Sequence, residues 1–341
     1  MSSDIRVLML TSVWPTPERP ELAPFLVRQV NFLRKAGVSV DVFPVEGHMR
    51  PDAYFRAWQK VRTLLKRNAW DLVHAQWAQS ALTCLPARLP LVVTFHGSDV
   101  QGIPGKKHRR TLPGWVLQRV SRAVARIASE AIVVAERLAG LLPHREYHVI
   151  PCGVDLDLFR PCPRGDARMR LGLNPAGRYI LFAANPGRPV KRFGLARAAV
   201  ESLDARYGAE LVVASGVNPD LMPVYMNACD VLLLTSAHEG SPSVVKEALA
   251  CNLPVVSTDV GDVAERIRNV DGCALCDGRP QALASALAGV LDRGRRVSGR
   301  EAVRPLDESL LTRRVIGVYE SALRRGSRRR KIQSIMTRRK P

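Results

Sequence analysis

Short apolar runs alternate with longer amphipathic stretches along the chain, which is the pattern of parallel β/α architecture. The alternation predicts strands over 6–11, 38–43, 71–75, 91–95, 131–135 and 148–150, then a second series over 179–183, 211–214, 230–235 and 254–257. Near-continuous runs such as Val231-Leu232-Leu233-Leu234 suit strands covered on both faces. The helix between the first two strands should end at Lys35-Ala36-Gly37, a basic last turn followed by a glycine able to form a left-handed cap. Pro, Gly and charged residues concentrate over 151–175, so the break between the two series belongs there. Two doubly wound domains with a cleft between them are expected. Ligands of such sheets bind beyond the carboxyl ends of the strands, so the residues after each strand are the ones to read for chemistry.

The strand over 230–235 is followed by Ser236-Ala237-His238-Glu239-Gly240-Ser241-Pro242-Ser243-Val244-Val245-Lys246-Glu247. Ser241 suits an N-cap and Pro242 a first helical residue, which predicts a helix start here, with Asn252 as its left-handed terminator. Free amides and the positive dipole end of such a helix suit a diphosphate. Val244, Val245, Ala248 and Leu249 share one side, leaving Glu247 off the buried stripe and able to accept from a ribose diol. On helix logic alone, a plain N-capped helix with a solvated glutamate fits equally well.

Glu239 and Glu247 stand eight positions apart and bracket Gly-Ser-Pro, and Ala-Leu-Ala-Cys-Asn-Leu-Pro-Val-Val-Ser-Thr-Asp-Val-Gly follows them. With the preceding Pro223-Val224-Tyr225-Met226-Asn227-Ala228-Cys229-Asp230, this stretch resembles the hallmark of glycosyltransferase family 4. The resemblance implies an α/β fold of GT-B type, two Rossmann-like doubly wound domains facing across a cleft. An acceptor-side domain would occupy 1–160 and a nucleotide-sugar donor-binding domain 161–310, with a C-terminal helix crossing back and a basic tail over 311–341. It also implies a retaining, metal-independent transfer from a nucleoside-diphosphate sugar, with no further cofactor. Glu239 and His96 are the implied catalytic residues, the latter in a His96-Gly97-Ser98-Asp99 run like that of relatives. Lys191, Arg188, Gly240, Ser241, Ser243, Val244 and Glu247 are the implied donor-binding residues. Lys191 matches the phosphate-gripping lysine of relatives, whereas Pro186 stands where they carry an arginine and Arg188 is offered as its substitute; a solvated basic loop is the alternative. Pro242 has no N–H, so any amide contact made there in relatives is absent. Ile150-Pro151-Cys152-Gly153-Val154-Asp155 resembles the family's interdomain segment with Cys152 in place of Asn, and Asp155-Leu156-Asp157 reads as linker rather than metal site. Ala23 stands where many relatives carry glycine.

Composition narrows the setting. The 341 residues suit two domains, and 46% apolar content is that of a soluble globular protein. The N-terminus reads as a strand rather than a secretory signal, and seven cysteines, an odd number, argue against a disulfide framework. Cys273 and Cys276 form a single C-x-x-C, better read as small apolar residues near a loop than as a zinc site. These features point to the cytosol. The net charge of +20 is uneven: Lys and Arg exceed Asp and Glu by 22 to 13 over 1–160, 20 to 18 over 161–320, and nine to none over 321–341. Lys106-Lys107-His108-Arg109-Arg110 with Trp115, Arg119, Arg122 and Arg126, and the tail over 322–341, therefore suggest peripheral attachment to an anionic inner-membrane surface bearing a glycan or lipid-linked acceptor. A disordered, solvated tail is the alternative. Nucleic acid is not the expected partner, since the tail lacks aromatic stacking residues. Competing functions are a nucleotide-sugar epimerase or phosphorylase on the same fold, and a non-catalytic membrane- or nucleic-acid-binding relative. No G-x-x-x-x-G-K-[ST] occurs, which disfavours an NTPase.

Overall fold

The computed structural model describes residues 5–45, 50–67, 70–102, 111–143 and 146–338, residues 67 and 328–338 by backbone alone. The basic run Lys106–Arg110 lies outside the described residues. The first of two units comprises Met1–Trp14, Leu26–Pro151 and Ser309–Pro341, and the second comprises Pro15–Phe25 and Cys152–Glu308. The chain thus leaves the first unit at Pro151 and re-enters it at Ser309, where the sequence suggested limits at 160 and 310.

In the first unit six strands, β1 (Arg6–Thr11), β2 (Ser39–Pro44), β3 (Leu72–Gln76), β4 (Leu91–Phe95), β5 (Glu130–Val133) and β6 (His148–Val149), form a parallel sheet in the order β2-β1-β3-β4-β5-β6. In the second unit β7 (Arg178–Phe182), β8 (Ala209–Val213), β9 (Val231–Leu234), β10 (Val255–Thr258) and β11 (Ala274–Cys276) form another, ordered β11-β10-β9-β7-β8. Central strands β3, β4, β9 and β10 are buried at every residue, whereas the edge strands β8 and β11 are only partly covered. This follows from βα crossovers that cover both faces of a parallel sheet and leave its edges open. Strand order reverses between β1 and β3 and between β7 and β9, so each unit has one topological switch point at which loops diverge and leave a crevice.

Strands β1 and β4 have the limits that periodicity predicts, and the other eight predicted strands are displaced by one or two residues. The eleventh, β11, was not anticipated; it is three residues long, lies at the edge and ends at Cys276. The helix Pro24–Lys35 is closed by Gly37 at φ 88°, and Asn252 sits at φ 57°, both as expected of left-handed terminators. Ala23 takes φ 44°, a conformation that suits glycine better than alanine.

The last helix, Glu308–Arg338, remains regular into the basic tail as far as Arg338. It buries Leu311, Val315, Val318, Tyr319 and Ala322, which recur at helical spacing. Its docking centres on Glu130, whose carboxylate is almost fully buried. Glu130 accepts from Ser321 Oγ at 2.6 Å and pairs with Arg325 Nε at 3.0 Å and His148 Nε2 at 3.0 Å. Burial alone would raise the pKa of this carboxyl, but its hydrogen bonds and the neighbouring positive charge outweigh that and hold it below the usual range. A depressed folded-state pKa stabilises the fold above the unfolded value and ceases to do so as pH falls through the folded one. Glu130→Gln should therefore cost about 1–3 kcal/mol near neutral pH. Its deficit relative to the parent should shrink once pH drops below about 4.3. Urea denaturation across that range checks both statements.

Candidate functional site

The loops after β7 and β9 border the switch point of the second sheet, and they are tied together before any side chain is considered for chemistry. After β7 the chain makes a turn in which Gly187 N donates to Asn185 Oδ1 at 2.8 Å and Arg188 N to Asn185 O at 3.1 Å. A short 3₁₀ turn, Pro189–Lys191, follows, and Arg192 then adopts φ 48°. That left-handed residue aims its guanidinium at the end of β9, donating to Thr235 O at 2.6 Å and to Ser236 O at 3.0 Å. In return Thr235 Oγ1 donates to Lys191 O at 2.8 Å, and Ala237 N donates to Val190 O at 2.8 Å. Lys191 and Glu239 are consequently brought together, with Nζ 2.5 Å from Oε1 and only 17% and 16% of their side chains exposed. Arg188 projects from the exposed turn and makes no side-chain hydrogen bond or ion pair among the described residues. Arg192 was missed in the sequence, where it reads as one more cation of a basic loop.

The helix that follows β9 spans Ser243–Ala250, one residue later than expected. Pro242 is its N-cap, and no side chain caps it. The expected cap, Ser241, is instead buried, and its hydroxyl donates to Asp262 Oδ2 at 2.8 Å while accepting from Lys246 Nζ at 2.5 Å. Charged partners hold a hydroxyl more strongly than helix amides do, so the cap is lost to the stronger bonds. Lys246 is fully buried, lies 3.6 Å from Asp262, and Arg266 Nε approaches the same carboxylate oxygen at 3.2 Å. A lysine near the positive end of a helix is electrostatically unfavourable, and Asp262 compensates it. Gly261, at φ 59°, lets its loop touch the preceding one: a Cβ there would lie 2.6 Å from Gly240 O and 2.8 Å from Pro242 Cδ. Glu247 is 7% exposed, not on an open face as expected, and Val244 is the half-exposed residue instead. The buried face thus includes Lys246 and Glu247 as well as the apolar residues. Gly240, Ser241, Ser243, Val244 and Glu247 therefore lie on one loop-helix segment beside the Lys191–Glu239 pair.

His96 belongs to the first unit, at the end of β4. Its loop is folded around Asp99, which is fully buried. Asp99 Oδ1 accepts from His96 N at 3.1 Å and Gly97 N at 3.0 Å, and Oδ2 accepts from Ala78 N at 3.1 Å. Burial lifts the Asp99 pKa to about 6 against the pull of these amides. The His96 ring lies 4.5 Å from that of Trp77, itself at φ 66°, and Nε2 is 2.7 Å from Gln76 Oε1. Burial pushes the His96 pKa down to about 3, so the imidazole is neutral near physiological pH. Gln76, Trp77 and Asp99 were not singled out in the sequence, although Asp99 was visible within the His-Gly-Ser-Asp run.

Residues 3–158 match the family model described as Glycosyltransferase Family 4, and residues 182–293 match that of glycosyl transferases group 1. The chain is 27% identical over 351 aligned residues to TuaC of Bacillus subtilis (strain 168), named for teichuronic acid biosynthesis, covering 83% of this chain and 88% of that one. Sucrose-phosphate synthase of Thermosynechococcus elongatus superposes with a TM-score of 0.74 at 18% identity, over 93% of this chain and 98% of that one. Anabaena Alr3699/HepE, solved with UDP and glucose, gives a TM-score of 0.68 at 17% identity over 94% and 100%. Two parallel-sheet α/β units with these neighbours make the fold GT-B.

The buried lysine makes a stability prediction independent of any activity. Lys246→Met, which keeps the volume and removes the charge, should cost about 3–5 kcal/mol because Asp262 is left with less compensation. Combined with Asp262→Asn, the loss should be smaller than the sum of the two single losses by about 1 kcal/mol or more in a double-mutant cycle of denaturation energies.

Proposed function

We propose that this chain, a family 4-type glycosyltransferase that transfers sugar from a nucleotide sugar, does so with retention of anomeric configuration and without a metal, onto a hydroxyl of a glycan or lipid-linked acceptor. The observation that carries this reading is the Lys191–Glu239 pair at the switch point, 2.5 Å apart, beside the N-terminus of the Ser243–Ala250 helix. A diphosphate arriving at the helix end meets the Ser243 and Val244 amides and the Lys191 ammonium, with Arg188 free to swing in from its exposed turn. Phosphate competes with Glu239 for the ammonium, and the released carboxylate then accepts from hydroxyls of the transferred sugar. Donor binding in this way converts a resting ion pair into two separate contacts. Glu247 takes the ribose. His96, kept neutral because its partly buried setting lowers its pKa, acts on the donor sugar as a hydrogen-bonding group rather than a cation. Lysine, arginine and the helix dipole together offset the leaving-group charge, the role that a metal fills elsewhere.

Glu239→Gln should lower kcat about 10²- to 10³-fold, the effect of deleting one group that stabilises a transition state. Lys191→Ala should do likewise, and chelator should change neither the parent nor the variants. Initial rates with a panel of nucleoside-diphosphate sugars measure this, and an undiminished Glu239→Gln enzyme sinks the assignment.

The acceptor side of the proposal rests on charge and exposed apolar surface. The helix Leu112–Ile127 exposes Leu112 by 74%, Trp115 by 46%, Val116 by 45% and Ile127 by 52%. Arg119 stands 4.9 Å over the Trp115 ring, and Arg122 and Arg126 are exposed on the same helix. No helix among the described residues is long and apolar enough to cross a membrane. A basic helix with an interfacial aromatic residue suits attachment to an anionic bilayer at the inner membrane face. The protein should float with anionic vesicles at low salt and not with neutral ones, and Trp115→Ala with Arg119→Glu should abolish this. Absence of flotation at low salt rejects the membrane reading.

A further inference from the structure

A buried chain of polar side chains runs from the C-terminal helix to His96, entirely within the first unit. Tyr319 is fully buried and its Oη lies 2.7 Å from His74 Nδ1, the two rings meeting edge-on at 5.4 Å. His74, also fully buried, places Nε2 2.8 Å from Thr94 Oγ1 and 3.4 Å from Gln76 Nε2. Gln76 in turn sets its Nε2 3.0 Å from Gln29 Oε1 and its Oε1 2.7 Å from His96 Nε2.

The hydrogen-bonding inventory gives this chain a direction. The Gln76 amide is oriented by Gln29, whose carbonyl oxygen faces its NH₂ group. The Gln76 oxygen therefore faces His96, and His96 must donate through Nε2. At the other end of Gln76, the NH₂ group stands 3.4 Å from His74 Nε2, which disfavours a proton on that nitrogen and leaves its single lone pair to the Thr94 hydroxyl at 2.8 Å. Burial pushes the His74 pKa down to about 3, so the ring is neutral and carries one proton. With Nε2 unprotonated, that proton belongs on Nδ1, which faces Tyr319 Oη at 2.7 Å.

We propose that Tyr319 is a positioning residue for His96: by accepting from His74 Nδ1 it sets the His74 tautomer, which acts with Gln29 to orient the Gln76 carboxamide and thereby holds His96 in its Nε2-protonated form. The proposal deepens the catalytic role given to His96 above and rests on it for its functional meaning. It assigns to the C-terminal helix, whose Tyr319 lies 245 positions from His74, a part in the chemistry of the β4 loop. A purely structural tyrosine would fill space equally well as phenylalanine. A tyrosine that sets a tautomer cannot be replaced in that way.

Long-range ¹H–¹⁵N correlation of histidine-labelled full-length protein reads both tautomers directly. The parent should show His74 protonated on Nδ1 and His96 on Nε2; a parent with His74 protonated on Nε2 overturns the proposal without any variant. In Tyr319→Phe, His74 loses its acceptor, turns its proton to Nε2 and Thr94, and repels the Gln76 NH₂ group. Gln76 should then reverse and His96 should move its proton to Nδ1. Unchanged His96 resonances in a folded Tyr319→Phe protein overturn the proposal. With a donor that the parent turns over, Tyr319→Phe should lower kcat about tenfold at unchanged KM, the scale of losing an outer partner of an active imidazole. A parent that turns over no member of a panel of nucleoside-diphosphate sugars defeats the transferase role of His96, while the resonances still decide the coupling on their own.

Discussion

The loops after β7 and β9 depend on the grip of Arg192 on the carboxyl end of β9. Past Leu234 the backbone leaves the sheet, and its carbonyls need donors that no strand supplies. The Arg192 guanidinium takes two of them, Thr235 O and Ser236 O, and Thr258 Oγ1 adds a second bond to Ser236 O at 2.8 Å. Reaching both carbonyls requires the left-handed backbone at Arg192. That conformation fixes where the preceding residue, Lys191, can stand. A lysine side chain is long and loses much rotamer freedom when ordered, so its short contact with Glu239 depends on a backbone already held in place. Remove the grip, and Lys191 and Glu239 become parts of separate loops.

The second constraint is how each functional loop is held down by a buried carboxylate, and the two units solve it differently. In the second unit Asp262 meets a hydroxyl and two cations, Lys246 and Arg266. Opposite charge offsets the cost of burial there, and the cluster anchors the loop. The contact between Gly261 and Gly240 closes the same assembly from the backbone side.

How far the sequence revealed this follows from the range of each interaction. Alternating apolar runs reported the strands because burial on both faces acts on every residue of a central strand; β11, short and partly exposed, carried no such signal. The Glu239-to-Glu247 segment and Lys191 were legible as motif residues, and the structure places them side by side. The local rules failed where a distant partner won. Ser241 resembled a cap because the competing Asp262 stands 21 positions on. Nothing near Lys246 in the sequence announces its buried counter-charge, Asp262. Arg192 binds carbonyls 43 and 44 positions away, and that register exists only once β7 and β9 pair.

Asp99 shows why the remaining part of the site could not be inferred from stability. Its carboxylate is surrounded by amides rather than cations, and burial raises its pKa to about 6. A carboxyl whose folded pKa exceeds the unfolded value of about 3.9 destabilises the fold progressively as pH rises between those two values. Near neutral pH the ionised Asp99 is therefore a cost. Trp77, held at φ 66° beside it, adds a second cost of about 1–3 kcal/mol. What these two residues supply is geometry: three amides drawn to one carboxylate turn the β4 loop back on β3, and the indole lies against the His96 ring. Both costs fall around a neutral histidine, the arrangement that the role proposed for His96 calls for.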